Sequence, residues 1–382
     1  MSSARPRPLV APVFLPQAGC PHACAFCNQA AITGRSVRHP TARDVRREIE
    51  KFLDFGSRRD GPVQIAFYGG NFLGQDADRI VALLRVAAEF VAAGRAEGIR
   101  FSTRPDTVDP QSLDRIAPFP VTVIELGVQS MNNEVLRLNR RGHDAESVQC
   151  AATALRRRGY RLGLQMMVGL AGEDPEATLA SGRALAALAP DFVRIYPTLV
   201  LRGSMLARWY RQGSYRPLPL EEAVGMVKGL YLLFHRRGIR VVRMGLQSSP
   251  SLDAGGDLLA GPYHPAFGHL VHSRIFGDAL LRGLAAAQRN TTGAVEVRVH
   301  PASTAKLRGM RNDNVRRAEK RYGPDTLRIM ADASVDRREL VVGGSVLHPY
   351  EDSASDGTLE GRSGFSDPKH RPATGNPPSA DA

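Results

Sequence analysis

Runs rich in β-branched and aromatic residues alternate along this chain with longer segments whose apolar residues recur at helical spacing. Such alternation is typical of repeated strand–helix units, which place successive strands side by side in a parallel sheet. Six of these units precede residue 204. Their predicted strands are Leu9–Leu15, Val63–Tyr68, Ile99–Thr103, Val121–Gly127, Leu162–Val168 and Phe192–Tyr196. The pattern therefore predicts an α/β fold built on a parallel sheet.

The regular pattern loosens after residue 203. A predicted helix at Glu221–Arg237, a predicted strand at Arg240–Leu246 and mixed elements beyond them indicate a smaller α+β extension over residues 204–350. Residues 351–382 are rich in Ser, Gly, Pro and Asp and lack apolar periodicity, so we predict that this tail is disordered. Residues 1–203 then form the first domain.

The charge of the chain is strongly positive, +13 over 382 residues, and 51 residues are Lys or Arg. A basic protein suits a polyanion such as RNA, but it does not require one. The basic segment Arg311–Arg321 is either an RNA contact or a solvated helix face. No apolar run reaches the length of a transmembrane helix, so we expect no membrane partner. Four cysteines are too few for a disulfide framework in a chain of 382 residues. We therefore expect the protein to lie in the reducing cytoplasm.

Three of those cysteines, Cys20, Cys24 and Cys27, form a C-x3-C-x2-C pattern directly after the first predicted strand. A structural zinc site usually has four protein ligands, and the fourth cysteine, Cys150, lies far along the chain, where we expect it to serve in packing. Three thiolates can instead bind three irons of a [4Fe-4S] cluster and leave the fourth iron open. The cysteine pattern therefore indicates a metal centre, and the open iron would be its reactive position.

The C-x3-C-x2-C spacing, with the aromatic Phe26 before the last cysteine, resembles the cluster loop of the radical S-adenosylmethionine superfamily. The resemblance implies a partial (β/α)6 TIM-like barrel, with a [4Fe-4S] cluster on the three cysteines. It also implies that functional residues follow the C-terminal ends of the strands, as in other parallel barrels. Each of the six predicted strands is followed by glycine or polar residues that meet this expectation.

The resemblance gives each strand end a role. Gly69 and Gly70 form a turn whose backbone would hold the S-adenosylmethionine amino group, although Asn71 stands where an acidic residue is usual. Thr103 and Arg104 offer donors suited to a carboxylate. Polar groups after the fourth strand suit a ribose, and the end of the fifth suits the adenine. The candidate cofactor-binding residues are Phe26, Tyr68, Gly69, Gly70, Thr103, Arg104, Glu125, Gln129 and Met167.

At the sixth strand, Arg194 and Tyr196 are the candidate catalytic residues. The resemblance implies that one electron from the reduced cluster breaks a sulfur–carbon bond of S-adenosylmethionine. The 5′-deoxyadenosyl radical that forms then abstracts a substrate hydrogen. An electron donor such as a flavodoxin or a ferredoxin is implied as a partner.

Further motifs resemble the radical domain of the elongator catalytic subunit, which modifies the wobble uridine of tRNA. They are Thr103–Asp106, Glu125–Ser130, Arg141–His143 and Tyr196–Gly203. The chain departs from that pattern in two respects. Its cysteine spacing is shorter, and we find no acetyl-CoA loop in the region after residue 203, so we expect no acetyltransferase domain.

Three functions remain open from the sequence. The first is a radical enzyme that acts in tRNA modification. The second is a radical enzyme on a small metabolite such as a porphyrinogen-like polycarboxylate, for which the segment Gly261–His269 could line the mouth of the site. The third is a non-catalytic RNA-binding protein in which the cysteine loop holds a structural metal.

Overall fold

The computed structural model describes residues 9–16, 18–21, 23–28, 40–56, 61–247, 250–253, 256–287 and 293–351. Within these ranges the chain is an α/β protein with a curled parallel sheet and a smaller mixed region. The predicted disordered tail lies outside the described residues from residue 352 onward.

The strands and helices of the described residues follow one another in regular alternation through the first half of the chain. The strands are β1 (Leu9–Phe14), β2 (Val63–Tyr68), β3 (Gly98–Thr103), β4 (Val121–Gln129), β5 (Arg161–Val168), β6 (Phe192–Pro197), β7 (Val200–Leu201), β8 (Arg240–Met244), β9 (Leu258–Ala260), β10 (Val295–Val299), β11 (Leu327–Ala331), β12 (Leu340–Val342) and β13 (Ser345–Leu347). The helices are α1 (Ala42–Gly56), α2 (Ala77–Ala92), α3 (Pro110–Ile116), α4 (Asn133–Leu138), α5 (Ala145–Arg157), α6 (Pro175–Ala187), α7 (Met205–Arg211), α8 (Leu220–Arg236), α9 (Pro250–Asp253), α10 (Phe267–Ala287), α11 (Thr304–Arg308) and α12 (Asp313–Tyr322).

Side-chain caps fix where the helices α2 to α7 begin. In each, an Asp, Asn or Ser precedes the helix, and its side-chain oxygen accepts a hydrogen bond from a backbone N–H of the first turn. These caps are Asp76, Asp109, Asn132, Asp144, Asp174 and Ser204. Because each helix start is fixed, the length of each loop after a strand is fixed as well.

The main sheet has the order β1-β2-β3-β4-β5-β6-β8, and all its neighbouring strands are parallel. This confirms the predicted partial barrel and adds a seventh strand to the six counted from the sequence. The sequence pattern predicts the seventh strand, β8, as part of the extension, because the regular alternation loosens before it. It nevertheless pairs with β6 in parallel. The division at residue 203 stays a prediction, and the sheet continues beyond it.

The predicted α+β extension contains a second sheet of mixed direction, with the order β11-β10-β12-β13. One hydrophobic cluster continues from Val13 on β1 to Phe276 on α10 and Tyr350 near the last described residue. The extension therefore packs on the barrel through α8 and α10. None of the helices in the described ranges offers the length and hydrophobicity that a membrane crossing requires.

Candidate functional site

The cysteine loop, which we define as the described residues between 15 and 28, follows the C-terminal end of β1. In this loop Cys24 is buried, Cys27 is half-buried and Cys20 is exposed. The loop is short, so all three thiols belong to one region at the C-terminal edge of the sheet. This is the edge at which the sequence placed the site.

Backbone hydrogen bonds join the cysteine loop to three other elements. The N–H of Ala25 donates to the carbonyl oxygen of Asn139 after α4, at 3.0 Å. The carbonyl oxygen of Ala25 accepts from the N–H of Leu206 in α7, at 2.7 Å, and that of Ala18 accepts from the N–H of Asn71, at 2.8 Å. The conformation of the loop is thus set by contacts with distant parts of the chain.

The glycine turn after β2 lies directly against the cysteine loop. A Cβ atom at Gly70 would come within 2.6 Å of the carbonyl oxygen of Ala18 and 2.7 Å of that of Leu15. Gly69 has a positive φ of 91°. Close backbone approach and left-handed geometry are the two conditions that favour glycine over other residues. The predicted contact of this turn with an amino group stays a prediction.

Asn71 joins the glycine turn, the end of β3 and the cysteine loop through its fully buried side chain. Its Oδ1 accepts from the Thr103 hydroxyl at 2.7 Å, from the Arg104 N–H at 3.0 Å and from the Thr107 hydroxyl at 2.9 Å. Its Nδ2 donates to the carbonyl oxygen of Gly19 at 2.8 Å. The Thr103 hydroxyl is therefore engaged inside the protein, and its predicted role toward a carboxylate stays a prediction.

Two buried guanidinium groups lie beside Cys24. Arg141 Nη1 is 3.1 Å from Cys24 Sγ, and Arg104 Nη1 is 4.0 Å from it. Arg104 also makes a bidentate pair with Asp106, at 2.9 and 2.8 Å, and donates to the carbonyl oxygen of Arg141. Burial and neighbouring Cys24 raise the pKa of the Cys20 thiol, while both arginines oppose the rise. Two cationic side chains thus lie beside Cys24, and their charge suits an anionic group bound to the cysteine loop.

The residues that follow β4 carry polar atoms with no partner among the described residues. His143 Nε2 lies 3.2 Å from the carbonyl oxygen of Val128, whereas its buried Nδ1 has no hydrogen-bond partner. Burial, with Arg141 and Arg104, lowers the pKa of His143 to about 4, so the ring is neutral at pH 7. Gln129 has a φ of 72°, and its buried Oε1 is also unpartnered. The predicted role of Gln129 toward a ribose stays a prediction.

Glu125, at the centre of β4, is fully buried inside the barrel. Its carboxylate accepts from Arg100 Nη2 at 2.5 Å, Arg194 Nε at 2.6 Å, the Tyr68 hydroxyl at 2.8 Å and Gln165 Nε2 at 3.0 Å. Burial opposes ionisation, but Arg194 and Arg100 outweigh it and lower the pKa of Glu125. The structure thus brings together three predicted residues, Tyr68, Glu125 and Arg194, in one charged network.

A small apolar cluster connects the cysteine loop with β5 and β6. Met167 packs with Val135 and Leu170, and the half-buried Phe26 and Tyr196 lie against them. Burial raises the pKa of Tyr196, so its phenol is neutral at physiological pH. Three predicted residues, Phe26, Met167 and Tyr196, therefore share one surface beside the thiols. Such a surface suits the flat face of an adenine.

Among the described residues, no three His, Cys, Asp or Glu side chains are grouped so that they could hold a metal ion. A four-iron cluster held by cysteine thiolates is an anionic group. The three thiols and the arginines beside Cys24 fit such an anionic group. Cys150 is exposed on α5, so the expectation that it serves in packing was wrong.

Sequence reasoning missed several residues that define this region. Arg100 lies inside β3 with no distinguishing motif, and its ion pair with Glu125 depends on the register of two strands. Arg141 belonged to a motif that carried the resemblance, but nothing local linked it to Cys24. Gln165 and Asn139 gave no signal because their partners are in other elements.

Comparison with known families identifies the class to which this fold and site belong. The model of the Radical SAM superfamily matches residues 14–181, and that of the Radical_SAM C-terminal domain matches residues 190–276. The chain belongs to the radical SAM superfamily. Membership implies the use of S-adenosylmethionine and an iron–sulfur cluster.

Within that superfamily, the chain is similar to proteins of the elongator type. It is 27% identical over 247 residues to the tRNA uridine(34) acetyltransferase of Dehalococcoides mccartyi, covering 56% of this chain and 54% of the relative. It is 31% identical over 140 residues to Elongator complex protein 3 of Saccharomyces cerevisiae, covering 36% of this chain and 25% of the relative. The structure of Methanocaldococcus infernus Elp3 matches with a TM-score of 0.58 at 21% identity, over 75% of this chain and 69% of that one. The chain thus spans about half the length of the first of these relatives.

Proposed function

We propose that the chain holds a [4Fe-4S] cluster on Cys20, Cys24 and Cys27, cleaves S-adenosylmethionine reductively and acts in tRNA modification. When bound, the reduced cluster supplies the electron that breaks the sulfur–carbon bond of S-adenosylmethionine. An electron donor such as a flavodoxin or a ferredoxin would reduce it. The region that follows residue 203 would complete the site.

The observation that carries this proposal is the cationic, buried environment of Cys24. Arg141, in the loop after α4, and Arg104, directly after β3, direct guanidinium nitrogens at its sulfur. Hydrogen bonds and positive charge at a cluster sulfur stabilise the more negative, reduced state. The apolar cluster of Phe26, Met167 and Tyr196 would cover the adenine and exclude water from the reacting groups.

The tRNA part of the proposal is supported by the similarity to tRNA uridine(34) acetyltransferases and by the net charge of +13. An RNA that approached the C-terminal edge of the sheet would meet exposed arginines after β4 and β6. The assignment is to tRNA as a substrate class.

Anaerobic reconstitution tests the radical step. We expect a brown protein that binds about four irons per chain, and that releases 5′-deoxyadenosine from S-adenosylmethionine when a reductant is added. Cys24→Ala is expected to lose both properties. Cys150→Ala is the matched control and should keep both, because Cys150 lies exposed on α5. A colourless protein that yields no 5′-deoxyadenosine would contradict the proposal.

Binding of an unmodified tRNA transcript tests the substrate class. Phosphate contacts by arginines release counterions, so affinity should fall steeply as the salt concentration rises. Added tRNA should also stimulate the release of 5′-deoxyadenosine. If tRNA does not bind at low salt and has no effect on cleavage, a small-molecule substrate replaces it.

A further inference from the structure

A cleft of about 620 Å³ lies on the outer side of the turn that follows β5. Trp209, the one tryptophan of the chain, lines it from α7. Trp209 is half-buried against Ala171 and Tyr215, and the Tyr215 hydroxyl donates to the carbonyl oxygen of Gly169 at 2.8 Å. These contacts hold the indole and the opposite wall in place, so the cleft presents a fixed aromatic surface.

The rest of the lining combines apolar and cationic groups. Leu138, at the end of α4, is 42% exposed at the rim, and Arg216 is exposed nearby. The carboxyl group of Glu173 also lines the cleft, but it accepts from the Ser130 hydroxyl and the Leu170 N–H within its own region. Burial raises the pKa of Glu173 to about 7, so it carries less negative charge at neutral pH than an ordinary carboxylate.

A second cleft, also of about 620 Å³, adjoins the first. Arg137 and Leu138 are consecutive residues, and Arg137 lines the second cleft while Leu138 lines the first. Arg140, Asp144 and the cysteine-loop residues Pro21 and Ala23 also line it. The side chains of Arg137 and Arg140 are exposed. A cleft with two arginines therefore lies beside the thiols, and α4 lines both this cleft and the aromatic one.

Arginine side chains in one cleft and an aromatic side chain in the other suit the phosphates and the unpaired bases of a single-stranded nucleic acid. Proteins that bind such strands follow the backbone with cationic side chains and stack unpaired bases on aromatic ones. A duplex could not use the Trp209 cleft, because its bases are stacked on each other and face inward. We propose that these two clefts bind a single-stranded segment of RNA, with an unstacked base on Trp209 and adjoining phosphates against Arg137 and Arg140. This inference rests on the proposed tRNA function and locates the RNA next to the cysteine loop.

The tryptophan emission of the full chain, reconstituted anaerobically, reports on this cleft alone. An oligouridylate and an unmodified tRNA transcript should both quench it in a saturable way, and a double-stranded RNA should not. Trp209→Ala should weaken binding of the oligouridylate about tenfold, which corresponds to about 1.4 kcal/mol. Trp209→Phe keeps an aromatic face and should retain most of the affinity. Tyr210→Ala, an exposed neighbour on α7, is the matched control.

The salt dependence of RNA affinity tests the cleft that contains Arg137 and Arg140. Replacing Arg137 and Arg140 by Gln should reduce the slope of log affinity against log salt by about 1.4, because two phosphate contacts to a single strand are lost. If RNA binds with unchanged emission and Trp209→Ala binds as the wild type does, this inference fails and the tRNA function stands. If neither RNA binds at low salt, the tRNA function fails with it. The phenylalanine variant keeps the test decisive should the alanine variant not fold.

Discussion

Arg141 places its Nη1 atom 3.1 Å from the Sγ atom of Cys24, although 117 residues separate the two in the chain. Its Nη2 atom donates to the carbonyl oxygen of Gly127 at the end of β4, and the whole residue is buried. The arginine thus fixes the cysteine loop to β4 and supplies a positive charge at a candidate cluster ligand. Its Nε atom has no partner within the described residues.

Arg141→Gln should weaken cluster retention and make the reduction potential of the reconstituted cluster more negative. Removing the positive charge disfavours the reduced state, which has the larger negative charge. Iron content per chain and spectroelectrochemical titration measure the two effects. Arg141→Lys keeps the charge and should be intermediate, while Arg157→Gln, at an exposed position on α5, should match the wild type. An unchanged potential in Arg141→Gln would contradict this role.

Asn71→Asp should destabilise the loop contact because the substitution removes a single donor. The new carboxylate still accepts from Thr103 and Arg104, but it turns an oxygen toward the carbonyl oxygen of Gly19, where Nδ2 now donates at 2.8 Å. An unsatisfied buried acceptor costs about 2 kcal/mol. Urea unfolding measures the change. Asn132→Asp is the control: Asn132 caps α4 as an acceptor, so Asp should cap equally well.

The sequence was sufficient for features that depend on local chemistry. The six predicted strands appear within a few residues of their expected bounds, because a buried parallel strand needs an uninterrupted apolar run. The cysteine spacing was equally local. Asn71 shows the limit: its identity is explained by the carbonyl oxygen of Gly19 and the hydroxyl of Thr103, which belong to separate loops. No sequence pattern predicts that these loops lie in contact.

The barrel interior was the harder part to predict. Arg100 and Gln165 occupy strand positions where a polar residue normally indicates a solvent-facing side chain. In a parallel barrel the same alternation can direct charges inward, and only strand register then selects their partners. The predicted role of Glu125 toward the cofactor stays a prediction. Its carboxylate accepts hydrogen bonds from Arg100, Arg194, Tyr68 and Gln165. Ion pairs between residues distant in the chain, more than local sequence pattern, determine the arrangement of these charged side chains inside the barrel.

Glu125→Gln tests the contribution of the buried ion pairs inside the barrel to stability. The change leaves Arg100 and Arg194 buried beside a neutral amide, and breaking a buried ion pair typically costs about 3 kcal/mol or more. Because the pKa of Glu125 is lowered, its contribution is complete above about pH 4.5 and is lost as pH falls through the lowered value. Urea unfolding at pH 7 should therefore show the full loss. Glu296→Gln, in a pair 3.5 Å long with exposed side chains, should cost less than about 1 kcal/mol.

Glu173 should affect the pH dependence of stability in the opposite sense to Glu125, and Glu173→Gln tests this. Burial raises the pKa of Glu173 to about 7 from an ordinary value of 4.5, so between these values the folded protein binds more protons than the unfolded chain. Stability contributed at this site therefore falls as pH rises through that window, and the penalty is complete above pH 7. The glutamine variant lacks this titration and should be more stable than the wild type at pH 8 by on the order of 2 kcal/mol, with a smaller difference at pH 5. Urea unfolding at the two pH values measures this, with the exposed Glu176→Gln as control. Parallel stability profiles for the wild type and Glu173→Gln would show that Glu173 titrates as an ordinary carboxyl group.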